Sequence, residues 1–224
     1  MVTQTIKIDI WSDIACPWCY IGKRKFETAL GDFEKTDSAV PVELEYHSFE
    51  LHPDTPVDFV GNEYDFLTRN KGMPGDQIAA RLVQAAGIAA AAGLVYDYDR
   101  LPHINSIKAH QLVHYAKARG MQVVALNRVL RGYFQEGRHP GRIEDLADLG
   151  VDLGFDRDDV IRSLEADEYL AEVRADLQRA EDLGIQGVPY FVINDRYAVS
   201  GAHEASSFLN MLQQVAAENV EAGE

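Results

Sequence analysis

Only two cysteines occur in the 224 residues, and they stand three apart, as Cys16-Pro17-Trp18-Cys19. Random placement gives that spacing about once in a hundred, so chemistry that needs two thiols is weighed first. A structural zinc site wants four ligands, and the chain has no second cysteine pair. Among its seven histidines, His110 and His114 stand i,i+4, so a two-Cys, two-His site is the metal alternative. A structural staple across so short a loop removes little unfolded-chain entropy. Reversible thiol–disulfide exchange is the better reading. At the start of a helix, four backbone N–H groups lack partners and the macrodipole favours negative charge. A thiolate at Cys16 is stabilised there and acts as the nucleophile. Cys19, one turn further in, is shielded and resolves the mixed disulfide.

The elements around the pair suit this placement. Ile6 to Trp11 (IKIDIW) alternates apolar and polar residues and predicts a strand; Ser12-Asp13 supplies a turn, and Pro17 suits the first position of a helix running to about Gly31. Val42 to Phe49 alternates again, so the chain opens as β-α-β. From about Val57 to Leu183 the period changes to that of helices. Ala109, Leu112, Val113 and Ala116 form one stripe, with Asn105 as its N-cap; Leu126, Val129, Leu130 and Tyr133 form another. Leu170, Val173, Leu177 and Ala180 form a third, stopped by Gly184, and AAGIAAAAGL (85–94) favours helix. These stripes are read as core packing. Tyr190 to Ile193 and Tyr197 to Ser200, separated by Asn194-Asp195, predict a hairpin, and Glu204 to Ala217 a closing helix. The expected organisation is residues 1–56 and 184–224 as one discontinuous α/β domain, with 57–183 as an inserted helical domain.

Composition excludes several classes. With 21 Lys+Arg against 36 Asp+Glu the formal charge is −15, which argues against nucleic acid or an anionic membrane as partner. No apolar run reaches transmembrane length. The N-terminal MVTQTIKIDIW lacks the charged and apolar regions of a signal peptide, so the expected location is cytoplasmic. The chemistry to expect is that of a soluble, acidic, globular protein.

Gly187-Val188-Pro189 precedes the YFVI strand, and alone it says little, because most X–Pro bonds are trans. Together with a strand–CxxC–helix unit it resembles the thioredoxin superfamily, where a cis-proline loop packs beside the CxxC pair. The helical insert resembles the DsbA-like branch. The nearest resemblance is to the cytoplasmic group of FrnE and 2-hydroxychromene-2-carboxylate isomerase, carried by SDIACPWCYIGK (12–23), INSIKAHQLVHYAK (104–117) and GVPYFVI followed by VSGAH (187–203). It spans nearly the whole chain. It implies a thioredoxin-like α/β fold with a large inserted helical domain, and a thiol–disulfide oxidoreductase with Cys16 and Cys19 as the redox pair.

By the same resemblance Pro189 is cis, and the Val188 backbone offers strand-like hydrogen bonds to a bound peptide or thiol. Asn105 lies near the cleft, where it contacts a small thiol or merely caps its helix, and His110 is a polar neighbour. Trp18 is an exposed apolar platform for substrate, and Lys23, Arg24 and Lys25 either raise the positive potential around Cys16 or, the better reading, form a solvated helix face. The isomerase relatives and kappa-class glutathione transferases carry serine at the position of Cys16. The complete pair here favours exchange over isomerisation. Periplasmic DsbA has histidine where this chain has Trp18, which supplies no cation, so a weaker oxidant is implied. No metal or bound cofactor is expected. A glutathione-like low-molecular-weight thiol is the co-substrate, and a disulfide-containing protein or small thiol the partner, with oligomeric state left open. Two alternatives stand beside this reading: a glutathione-dependent isomerase or transferase on a small aromatic substrate, and a redox-sensing chaperone or binding module.

Overall fold

The isoleucines of IKIDIWS make β1 (Ile6–Ser12), a central strand of a four-stranded sheet in the computed structural model, which describes residues 5–221. The first four residues of the alternating N-terminal stretch and the last three of the acidic tail lie outside the described residues. Helix α1 (Pro17–Phe33) crosses over to β2 (Val42–Ser48), which pairs parallel to β1 with Ile6 opposite Val42. On the other side of β1 lies antiparallel β3 (Tyr190–Ile193), followed by β4 (Tyr197–Ser200), giving the order β2-β1-β3-β4. Asn194 and Asp195 take φ of 50° and 52°, the positive region that a two-residue hairpin demands and these residue types tolerate. Helix α9 (Ala205–Glu221) returns against α1.

Seven helices separate β2 from β3: α2 (Glu63–Lys71), α3 (Gly75–Ala91), α4 (Ile107–Lys117), α5 (Gln122–Glu136), α6 (Ile143–Asp152), α7 (Arg157–Glu165) and α8 (Leu170–Asp182). Among the described residues of this stretch an isolated bridge, Asn62 to Pro102, is the β pairing present. The helix expected over 85–94 starts earlier and ends at Ala91. Gly93 at φ +76° turns the chain there, and the Leu94 N–H donates back to the Ala89 carbonyl. No helix of the described residues is long and apolar enough to cross a membrane.

Both faces of β1 are covered. On one side Ile6, Ile8 and Ile10 are buried, and Phe191, opposite Ile10, meets Phe26 of α1 and Phe208 of α9 with ring centroids 5.6 and 4.8 Å away. On the other side Asp9 and Trp11 are as fully buried, because α8 lies across β1 and β2. His47 of β2 stacks on Trp11, with its Nε2 2.6 Å from Asp9 Oδ1 and its Nδ1 2.8 Å from Asp176 Oδ1 of α8. Asp176 Oδ2 accepts the Ser48 N–H at 2.8 Å and lies 2.9 Å from His114 Nε2 of α4. One carboxylate thus joins β2, α4 and α8. Burial pushes the Asp176 carboxyl up, but the bonds from His114, His47 and Ser48 outweigh it and hold it well below the usual carboxylate range.

A carboxyl depressed in the folded state stabilises above its unfolded value and ceases to as the pH falls. Asp176→Ala leaves His47 Nδ1 and the Ser48 N–H without a partner and takes one of two partners from His114 Nε2, so a loss of about 3–5 kcal/mol is expected at neutral pH. Urea unfolding of wild type and variant checks this, and the gap narrows below about pH 4 as the wild type loses the same contribution.

Candidate active site

The turn after β1 sets the cysteines. Asp13 Oδ1 accepts the Ala15 N–H at 3.0 Å, the Cys16 N–H donates to the Asp13 carbonyl, and Pro17 starts α1 with Cys16 as its N-cap in extended conformation. The thiol of Cys16 caps no N–H of its own helix; it donates to the Val188 carbonyl at 3.6 Å. Cys19 takes the Asp13 N–H on its sulfur at 3.4 Å. Both cysteines are free thiols and both are 2% exposed, so shielding does not separate them as expected from position along the helix. Their partners do. Burial pushes the Cys19 thiol well up, and the neighbouring Cys16 adds to this against the Asp13 N–H and the Ser12 hydroxyl.

The Val188–Pro189 peptide bond is cis, and the loop is tied down by the Gly201 N–H, which donates to the Pro189 carbonyl at 2.8 Å. Across from it α1 presents Gly22. A Cβ there would stand 2.9 Å from Pro189 Cγ and 3.4 Å from Ala202, so the glycine is what lets α1 and the proline loop touch. Trp18 is 38% exposed and forms one wall of a cavity of about 300 Å³ between the start of α1 and α3. The insert grips the same helix end through the Tyr96 hydroxyl, which donates to the Pro17 carbonyl at 2.9 Å.

Other expected residues stand elsewhere. Asn105 is not the N-cap of α4; Ser106 is, with no capping bond from its own side chain. Asn105 Oδ1 instead accepts the Ile107 N–H while its Nδ2 donates to the Thr55 carbonyl at 2.8 Å, so both ends of the amide are spent on holding two loops together. The Lys23–Lys25 stretch is no uniformly solvated face. Lys23 is 2% exposed, paired with Glu27 and 5.8 Å from the Tyr46 ring, and burial pushes its ammonium down against Glu27. The two-Cys, two-His alternative is not brought together: His110 bonds the Phe49 carbonyl at 3.0 Å and His114 bonds Asp176. Among the described residues the metal-type cluster is Asp9, Glu45 and His47. Cations already match it, with Arg179 3.5 Å from Asp9 and Lys117 2.6 Å from Glu45, which makes it an ion-pair network.

Asp13 and Gly22 escaped the sequence reading. Asp13 looks like a turn residue, yet its carboxylate is buried, accepts the Leu51 N–H at 2.7 Å and lies 3.5 Å from His110 Nε2. Burial pushes that carboxyl up, but His110 and the two backbone N–H groups bring it below its ordinary value. A glycine inside a helix costs roughly 0.5–1 kcal/mol, and that cost was the available signal for Gly22.

A family model for DsbA-like thioredoxin domains matches residues 7–213. The structure of a probable DsbA oxidoreductase, SCO1869 from Streptomyces coelicolor, is 40% identical, with a TM-score of 0.85 over 93% of this chain and 89% of that one. The fold is also that of 2-hydroxychromene-2-carboxylate isomerase (17% identity, TM-score 0.72, 96% and 98% of the two chains). It is shared as well with the cytosolic disulfide reductase DsbM from Pseudomonas aeruginosa, solved with GSH (17%, 0.63, 96% and 99%).

Gly22→Ala sets a gain in helix propensity of about 0.5–1 kcal/mol against overpacking of about 1–3 kcal/mol. The neighbours are a ring and a backbone, which yield little, so overpacking wins. Net destabilisation of about 1 kcal/mol is expected, measured by urea unfolding.

Proposed function

Since the chain belongs to the family of DsbA-like thioredoxin domains, we propose that it exchanges disulfides through Cys16, with Cys19 resolving the mixed disulfide. The observation that carries this is the pairing of a helix-start thiol with the carbonyl of the residue before a cis proline, 3.6 Å away. The Cys16 thiolate attacks one sulfur of a substrate disulfide, and the sulfur it displaces leaves as a thiolate and takes a proton. Cys19 loses its proton and attacks the Cys16 sulfur, which releases the second substrate thiol and leaves the Cys16–Cys19 disulfide. A low-molecular-weight thiol of the glutathione class returns the pair to the reduced form. The DsbM structure with GSH supports that co-substrate and a cytoplasmic setting.

The Val188 backbone and cis Pro189 form the edge along which a peptide or small thiol lies. The Val188 N–H takes no partner among the described residues, which leaves a donor for it. Trp18 is the apolar contact on the other side. Asn105 supports the cleft indirectly, through the two loops it joins. A thiol at position 16, rather than the serine of the isomerase relatives, weighs toward exchange.

Incubating Cys19→Ser with a disulfide substrate yields an adduct on Cys16 visible by mass spectrometry, and Cys16→Ser drops insulin reduction to the uncatalysed rate. Isomerase activity that survives Cys16→Ser defeats the reading. The raised Cys19 thiol sets the pH profile: below its pKa the thiolate fraction, and with it the resolution step, climbs about tenfold per pH unit.

A further inference from the structure

The cavity beside Trp18 has a polar inventory that selects a ligand. Its walls are mostly apolar, from Ala15, Pro17, Leu82, Leu101 and Phe134. Of the polar groups that reach it, two are already spent. Glu63 lies 2.6 Å from His103 Nδ1, and the Tyr133 hydroxyl donates to the Pro102 carbonyl at 2.7 Å. Others are not. The Tyr98 hydroxyl is buried with no hydrogen-bond partner. Arg81, exposed on α3, has neither hydrogen bond nor ion pair among the described residues. Gln84, at the rim, offers donors and an acceptor alike. The unspent groups are therefore the Tyr98 hydroxyl, the Arg81 cation, the Trp18 indole N–H and the Gln84 amide, mostly donors, and with Arg81 offsetting the charge that Glu63 keeps, an apolar body bearing an anion fits.

We propose that this cavity seats the organic half of a small disulfide, an aromatic or compact apolar group that carries a carboxylate. The carboxylate lies on Arg81 and the Tyr98 hydroxyl, the apolar body against Trp18 and Leu82. This rests on the exchange reading and names the substrate class of the same site. The guanidinium is suited to the task, because its paired N–H groups match a carboxylate. The reaction balances as one disulfide and two enzyme thiols going to two small thiols and the Cys16–Cys19 disulfide. Two molecules of a second low-molecular-weight monothiol, oxidised to their own disulfide, restore the enzyme.

The test compares three disulfides, each rate normalised to its reaction with free dithiothreitol: dithiobisnitrobenzoate (aromatic, anionic), dithiodipyridine (aromatic, uncharged) and dithiodipropionate (aliphatic, anionic). Wild type favours the first. In Arg81→Gln, kcat/KM for the two anionic substrates falls by about tenfold or more, chiefly through KM, while dithiodipyridine changes by less than about twofold. Arg81→Lys recovers part of the loss, and Tyr98→Phe costs the anionic pair about threefold. Benzoate, the non-reacting probe, competes with dithiobisnitrobenzoate in wild type and loses this effect in Arg81→Gln. Equal normalised rates for all three, an Arg81→Gln effect that is uniform, or no competition by benzoate overturns the proposal while leaving exchange intact. A wild type that reduces none of the three nor insulin overturns the exchange reading itself.

Discussion

The buried carboxylate of Asp176 is the constraint from which the rest of the architecture hangs. Taking a charge out of water is expensive, and a buried ion pair is tolerated only when hydrogen bonds satisfy its remaining lone pairs. Here both oxygens are satisfied, one by His47 and the other by Ser48 N–H and His114. The requirement ties α8 to β2 and α4 at once, because the donors come from both of those elements. The Trp11 indole adds a bond to the Asp176 carbonyl at 3.2 Å and binds β1 to the same turn of α8. Helix α8 in turn delivers the chain to Gly184, where φ is +68°, and Ile185 donates back to Ala180. Only a few residues remain before Val188 and Pro189, so the position of the proline loop follows from a helix anchored on the far face of the sheet.

The site shows how two chemically identical side chains acquire different surroundings without different exposure. Both thiols are covered to the same degree. Cys16 stands at the helix end, its proton toward a carbonyl that a bound substrate backbone would face as well. Cys19 stands among buried groups, with one backbone N–H and one hydroxyl toward its sulfur. The Asp13 side chain organises both by binding Ala15 N–H on the cysteine side and Leu51 N–H on the strand side. That double bond to backbone makes the turn stiff, and a stiff turn keeps Cys16 at the N-cap rather than in the first turn.

What could be read in the sequence was whatever acts locally. The C-P-W-C spacing, the Asn194-Asp195 turn, both ends of the α/β core and the helical character of the middle all depend on near neighbours. Burial of polar residues was not legible in the same way. Lys23, read as part of a solvated helix face, is buried with a partner on the next turn, and Asp9 and His47 of the alternating strands are buried because a segment more than a hundred residues away covers them. Periodicity reports the polarity of a face but not what lies across from it. The fit of Gly22 to Pro189 is of the same kind, as is the convergence of Trp18, Arg81 and Tyr98 on one cavity. Asn105 shows the converse: its side chain does bond the start of α4, but from one position earlier than an N-cap, since the Thr55 carbonyl claims its amide.

The net charge of −15 bears on the site in a way that composition alone obscures. A field summed over an acidic surface disfavours anions, yet at physiological ionic strength it is screened over about 8 Å. Within that distance the local inventory decides. At the mouth beside Trp18 the Glu63 carboxylate is held by His103 but keeps its charge, which Arg81 offsets, and the Tyr98 hydroxyl adds an unspent donor. An anionic small disulfide is therefore repelled weakly at long range and held at short range, whereas an acidic protein meets the repulsive surface over its whole footprint. The same residues that make the chain acidic thus bias its cavity toward small anionic substrates over large ones.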